Sequence, residues 1–437
     1  MSSPLWAVLP GGIDDPAAPS GGNRYDRAVL CRLHRDVHEL AIGGTWPSPG
    51  PASRRALEWA LADIPDGSLV LVDGLVGCGV PELLEPHARR LRLAVLVHLP
   101  LSDETGLSPA RARELRAKER AALHLATTVI ATSRAAAAHV AAMHDLRRVE
   151  VAAPGVDPAP LAEPHPDGHR LLCAAAVSPR KGQDLLVGAL ENDLAGLRWK
   201  CTFAGALVNP VPYLSGNIQF AGPLGPAELN VAYANTDLFV LPSRAETYGM
   251  VVTEALARGI PVLATAVGGV PEALGTTPAG LPGMLVPPDD RPALAAALRD
   301  WLTRPELRAS LRAAALQRRA TLPTWEETAR RITEILDATG TRAPAPAQQT
   351  TPAPHTTSAP TPAPHPTPAP HTTPAPHTTP APTPAPHTTP APTPAPHTTP
   401  APTPAPHTTP APTPAQRTSP APATASAPSP EIEGEPT

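Results

Sequence analysis

Along the first 340 or so residues, short apolar runs alternate with stretches whose apolar positions recur every three or four residues. This is the pattern of parallel strands joined by crossover helices: a strand covered on both faces reads as an unbroken apolar run, while a covering helix shows only a stripe. In the first half it predicts strands over residues 6–9, 37–42, 69–72, 93–98, 128–131 and 149–152, with helices notably over 53–61, 109–125 and 134–143. Residues 157–168 hold four prolines and little that is apolar, which predicts a linker. Beyond it come predicted strands over 170–177, 199–203, 218–220, 238–241 and 261–264, helices over 183–190 and 248–258, and three helical stretches between 291 and 338. Gly259 stands where a helix-ending glycine belongs. The expected fold class is α/β, with two doubly wound, Rossmann-like domains at 1–156 and 169–339. Such units bind ligands in a cleft at the carboxyl ends of their strands.

After Thr339 the pattern stops. Leu, Ile, Val and aromatic residues nearly vanish, and APTPAPHTTP occurs three times in succession from Ala381 to Pro410. Such a segment cannot bury a core, and its dense proline favours extended polyproline II, so residues 340–437 are expected to be a disordered spacer. Seven histidines from His355 to His407 recur along it, but ligands on an extended chain lack the preorganised geometry of a metal site.

Composition narrows the function. With 35 basic against 39 acidic residues the net charge is −4, which offers nucleic acid no electrostatic footprint. Cys31, Cys78, Cys173 and Cys201 are far apart, form no C-x-x-C pair, and are expected to be reduced. The N-terminus carries no basic leader or signal-length apolar run and no segment approaches 18 unbroken apolar residues, so a cytoplasmic protein is expected.

The densest chemistry lies between Leu241 and Leu274. A strand ends near Pro242, a loop carries Glu246, and a helix begins near Tyr248 and Gly249, aiming unpaired amides and the positive end of its dipole at whatever precedes it. Glu254 follows about 9 Å along the axis, a phosphate-to-ribose reach. Arg180 and Lys181 sit between a buried strand and a helix, where they can neutralise a leaving diphosphate without a metal. His98 and Asp73 each end a buried strand, and Gly21 and Gly22 allow close backbone approach after the first strand. No D-x-D is present, so the usual acidic handle for a metal diphosphate is missing, and no GxGxxG follows a strand, which argues against a nicotinamide enzyme.

The block around Glu246 resembles glycosyltransferase family 4, whose signature is E-x(7)-E. Glu246, Tyr248, Gly249, Glu254, Ala255, Ala257, Gly259, Pro261 and Val262 all match its pattern. Val177 to Leu190 resembles the family's donor-phosphate loop, APSGGNRYDRAV its glycine loop, and His98 its histidine near the transferred sugar; the resemblance spans Trp6 to Leu336. One departure is that Ala175 and Ala176 stand where many members carry Gly-Arg. The resemblance implies a GT-B fold and a retaining, metal-independent glycosyltransferase with no cofactor beyond its nucleotide diphosphate sugar donor. By this resemblance the catalytic residues are Glu246, His98 and Lys181. The donor is held by Arg180, Lys181, Tyr248, Gly249, Met250, Val251 and Glu254, and the acceptor side includes Gly21, Gly22 and Asp73. The acceptor stays open among carbohydrate, lipid and small molecule. Lipid-acting members dock through a basic helix, and Arg111, Arg113, Arg116, Lys118 and Arg120 give residues 109–125 that character, so a weak peripheral membrane contact is one expectation and a solvated face the other. A GT-B epimerase, a phosphorylase, and a non-catalytic scaffold displaying the tail are the alternatives.

Overall fold

Strand Leu69–Asp73 is buried at all five positions, and its side chains divide between two cores: Leu69 and Leu71 join one, Val70 and Val72 the other. Alternation across a pleated strand makes this unavoidable once both sheet faces are covered. The same logic repeats through the chain. In the computed structural model residues 4–15 and 20–341 are described; the expected tail therefore lies outside the described residues beyond Thr341.

Six parallel strands form the first sheet: β1 (Leu5–Pro10), β2 (Val37–Ile42), β3 (Leu69–Asp73), β4 (Arg92–Val97), β5 (Thr128–Ala131) and β6 (Glu150–Val151), in the order β2-β1-β3-β4-β5-β6. A second sheet contains β7 (Arg170–Ala174), β8 (Lys200–Ala204), β9 (Ile218–Gly222), β10 (Leu238–Leu241), β11 (Val262–Thr265) and β12 (Gly283–Val286), in the order β12-β11-β10-β7-β8-β9. Residues 157–168, between the sheets, form no helix or strand. Each sheet has a core on both faces.

Several elements differ from the sequence pattern, the unpredicted helix Pro226–Ala234 among them. The strand expected over 170–177 stops at Ala174; the Gln183 side chain donates to the carbonyls of Ala175 and Ala176, and beyond them only an isolated bridge joins Val177 to Leu207. The helix expected over 248–258 is shorter, Met250–Leu256, since Gly249 precedes it in the left-handed region at φ 87°. Strand β12 was not predicted; its three apolar residues, Met284 to Val286, stand between Gly283 and Pro287.

Helix Trp325–Gly340 follows the second sheet in the chain, yet its apolar face packs on the first: Trp325, Ala329, Ile332, Ile335 and Leu336 share a core with Leu5, Leu9, Leu71 and Leu96. Thr324 and Glu327 form a capping box that fixes where this helix starts. Cys78, Cys173 and Cys201 are buried free thiols and Cys31 an exposed one. No described helix is long and apolar enough to cross a membrane.

Trp325 is 2 % exposed and Trp59 68 %. Trp325→Ala is therefore expected to cost about 3–5 kcal/mol in a urea titration, and Trp59→Ala under about 0.5 kcal/mol. Equal losses would show that the last helix does not seal the first sheet.

Candidate functional site

The loop that follows β7 and the loop that follows β10 touch. Gly182, at φ 66°, lies so close to the Pro242 carbonyl that a Cβ at this position would collide with it. The Arg244 amide donates to the Arg180 carbonyl at 2.7 Å. Arg244 then ties the loops together with its side chain, pairing with Asp184 (2.7 Å) and Asp289 (2.6 Å) and donating to the Pro179 carbonyl. Its hydrogen bond with Asp184 raises the guanidinium pKa further, burial notwithstanding.

That approach brings together residues 65 positions apart. Lys181 Nζ lies 2.6 Å from Glu246 Oε1, with both side chains largely buried. Ser243 Oγ donates to the same oxygen at 2.8 Å, and Arg180 stands 4.0 Å from Oε2. Arg180 Nε is buried without a hydrogen-bond partner among the described residues. Lys181, Arg180 and Glu246 thus form one cluster. Arg244 carried no sequence signal, because its partners are set by loop contact, whereas Ser243 bonds within its own loop, three residues from Glu246.

Glu254 belongs to a separate cluster. Tyr233 Oη donates to its Oε2 at 3.1 Å, and Arg24, from the helix Gly21–Leu30 beside the first sheet, pairs with Oε1 while its other amino group meets Asp157 at 3.1 Å. Arg258 lies 4.4 Å over the Tyr233 ring, completing a charged lid on the phenol. Burial, then the Glu254 charge, pushes the Tyr233 pKa well up. Tyr248 is itself a core residue, its phenol pushed to about 12 by burial, so only its backbone faces the loop. Gly249 starts the helix, Val251 is half-buried within it, and Met250 packs against cores of both sheets.

His98, at the end of β4, is half-buried with Nε2 2.8 Å from Asp26 Oδ1. Its ring meets the edge of Tyr25 at 5.2 Å and backs onto Gly22, where a Cβ would sit 3.1 Å from the imidazole. Gly21 and Gly22 open a helix rather than lying in a loop, with Ser20 as its cap. Asp73 ends β3 and accepts from the Leu75 amide at 2.7 Å. The donor atoms of Asp26, Asp73 and His98 lie within 4.8 Å of one another, as do those of His165, Asp167 and His169 in the segment between the sheets. In the first group Nε2 is already spent on its hydrogen bond to Asp26.

The two halves meet directly at these loops. Ser133 Oγ donates to the Thr247 carbonyl at 2.6 Å, and the Arg134 amide to Glu272 at 3.1 Å. Cavities of about 220 and 180 Å³ lie elsewhere, and neither is lined by a residue expected at the site. On the basic helix Pro109–Leu125, Arg111 and Lys118 pair with Glu114, Arg116 donates to the Met143 carbonyl and Arg120 to that of His144.

Comparison with known proteins concentrates on the second sheet. Residues 162–318 match the family described as Glycosyl transferases group 1, a span that holds Lys181, Glu246 and Glu254 and omits His98. The chain is 32 % identical over 227 residues to a D-inositol 3-phosphate glycosyltransferase of Kineococcus radiotolerans, 44 % of this chain and 52 % of that one. It is 45 % identical over 71 residues to the sulfoquinovosyl transferase SQD2 of Arabidopsis thaliana, 16 % and 14 % of the two chains. It thus spans about half the length of the former relative and far less of the latter. Among solved structures, sucrose-phosphate synthase from Thermosynechococcus elongatus superposes with a TM-score of 0.62 at 21 % identity, covering 77 % of this chain and 99 % of that one. Anabaena HepE, solved with UDP-glucose, does so with 0.57 at 18 %, covering 77 % and 100 %. At such identities the likeness is one of fold: two parallel six-stranded sheets with their helices, in the arrangement of GT-B glycosyltransferase structures.

Proposed function

We propose that this protein is a retaining, metal-independent glycosyltransferase of the cytoplasm, moving a sugar from a nucleotide diphosphate donor to an acceptor hydroxyl. The observation that carries it is the buried Lys181–Glu246 pair at the carboxyl ends of β7 and β10, inside the segment that matches Glycosyl transferases group 1. A cation and an anion held together off bulk water suit a ligand with a negative leaving group next to a hydroxyl-bearing ring.

The bond from the anomeric carbon to the diphosphate oxygen breaks, with its electron pair leaving on the phosphate. Lys181 and Arg180 answer that growing charge, with the amides of Tyr248 to Val251 beside them; Arg180 supplies what Ala175 and Ala176 lack. The acceptor oxygen attacks from the same face and its proton passes to the departing phosphate. Glu246 and His98 orient the sugar. Glu254 holds the ribose, since each of its oxygens, though engaged by Arg24 or Tyr233, keeps capacity to accept a second bond. Contact between the loops of the two halves keeps water from the reacting carbon.

Lys181→Ala is expected to lower kcat roughly 10²–10³-fold with a smaller change in KM, because the leaving-group charge it answers grows as the bond breaks. Glu254→Ala should chiefly raise the donor KM, a ribose contact being equally useful before and during reaction. Transfer assays without divalent metal, on variants whose circular dichroism matches the parent, check both; equal small effects would move the donor elsewhere. A thermal-shift panel of nucleotide sugars identifies the donor by the stabilisation it confers, and release of nucleotide without an acceptor, or dependence on inorganic phosphate, would favour the epimerase or the phosphorylase.

Membrane contact by helix Pro109–Leu125 is the minor part of the proposal, since four of its five basic side chains are engaged within the protein. Cosedimentation with anionic liposomes at low salt is expected to be weak and to fall with Arg113→Glu; pelleting that ignores this change would place the contact elsewhere.

A further inference from the structure

Asp26 is 3 % exposed, lies in the APSGGNRYDRAV stretch where no role was assigned to it, and forms a charged pair with His98. Its Oδ1 takes the Nε2 hydrogen bond, while its Oδ2 is fully enclosed and finds no donor apart from what Asp73 can offer. Asp73 approaches from the end of β3, with one oxygen on the Leu75 amide and a side-chain contact to Asp26. Two buried carboxyl groups in contact cannot both be ionised cheaply, so one keeps a proton and donates it to the other. Burial, then the Asp26 charge, lifts Asp73 to about 7, which makes it the proton holder of the two up to neutral pH.

The ring of His98 is held on its other sides as well. Gly22 lies against Cδ2, and Tyr25, anchored by its hydroxyl on the Ala152 carbonyl, meets the ring edge. Nε2 is committed to Asp26, so Nδ1 is the nitrogen left without a hydrogen bond among the described residues. We infer that Asp26 is a positioning residue of the transfer reaction: it fixes the His98 ring and keeps it as the imidazolium, so that Nδ1–H serves as a donor to an oxygen of the bound sugar or diphosphate and not as a base. This rests on the reading of His98 as a residue at the transferred sugar. Burial by itself would lower the His98 pKa, but the charge and hydrogen bond of Asp26, with Asp73 behind it, outweigh burial and raise it to about 9. The groups facing the ring are Asp26 and Tyr25 from helix Gly21–Leu30 and Asp73 from β3; the Tyr25 phenol, pushed well up by burial, stays neutral throughout.

The test uses the full chain labelled with ¹⁵N-histidine, the His98 resonance being assigned by its loss in His98→Gln. In the parent, His98 should titrate near pH 9 and be protonated at both nitrogens at neutral pH. In Asp26→Asn the midpoint should fall to about 6.5 or below, the unperturbed imidazole value. In the same variant kcat at pH 8 should fall roughly 10- to 100-fold, the range in which outer partners of a working imidazole act, with the donor KM within about twofold. The alkaline limb of kcat should move down with the midpoint, a displacement that loss of packing alone would not produce. Should Asp26→Asn fail to fold, the parent titration and Asp26→Glu, which keeps the charge and with it the high midpoint, decide the matter. A parent midpoint near 6.5, or a kcat unchanged in Asp26→Asn despite a shifted midpoint, overturns the inference. Failure of the parent to bind any nucleotide sugar overturns the proposed function and the role of Asp26 with it, whereas a parent that transfers sugar with an unshifted His98 loses only the inference.

Discussion

The contact between Gly182 and the Pro242 carbonyl is the constraint on which the candidate site depends. Two loops that leave neighbouring strands of the second sheet can bring their side chains to hydrogen-bond distance only if their backbones touch, and any side chain at position 182 would hold them apart. Once they touch, Lys181 faces Glu246 and Arg244 reaches across to Asp184 and Asp289. The pair is then removed from water by its surroundings, where its mutual attraction is strong and the loss of either partner is costly. A ligand carrying its own charges can enter such a place by replacing one partner of the pair.

A second consequence concerns how the two halves communicate. Glu254 belongs to the second sheet, yet one of its oxygens is paired by Arg24 from the helix beside the first. Met250 packs into cores of both, Ser133 bonds to the Thr247 carbonyl, and the final helix returns to seal the first sheet. Any movement between the halves must therefore break an ion pair at the proposed ribose carboxylate, and a donor that supplies hydroxyls to Glu254 competes with or joins Arg24 for it.

The first half contributes a different kind of electrostatics. Asp26, Asp73 and His98 are three titratable groups in mutual contact, and burial prevents each from ionising independently. Below neutral pH the lowest-cost arrangement has one negative carboxylate between a neutral carboxyl and a cationic imidazole, so this region holds its charge through the environment and not through exposure to solvent.

The sequence by itself determined the alternation of strands and helices, because apolar runs and stripes are local consequences of what each element must bury; most strands lie where their runs predict. It also pointed to Lys181, Glu246, Glu254 and His98, since each stands at a strand end or in a motif readable along the chain. What it could not carry were the relations that depend on distant segments touching. Strand β12 was not predicted, and it stands at the edge of its sheet, paired with β11 alone among the described strands. Arg244, Tyr233, Arg24 and Asp26 acquire their partners only when segments 21 to 230 residues apart converge. The last helix reads as part of the second half by chain order, yet packs on the first, because burial of Trp325 is decided by which core has room for it. Periodicity records what one segment hides; only the tertiary structure decides what it hides against.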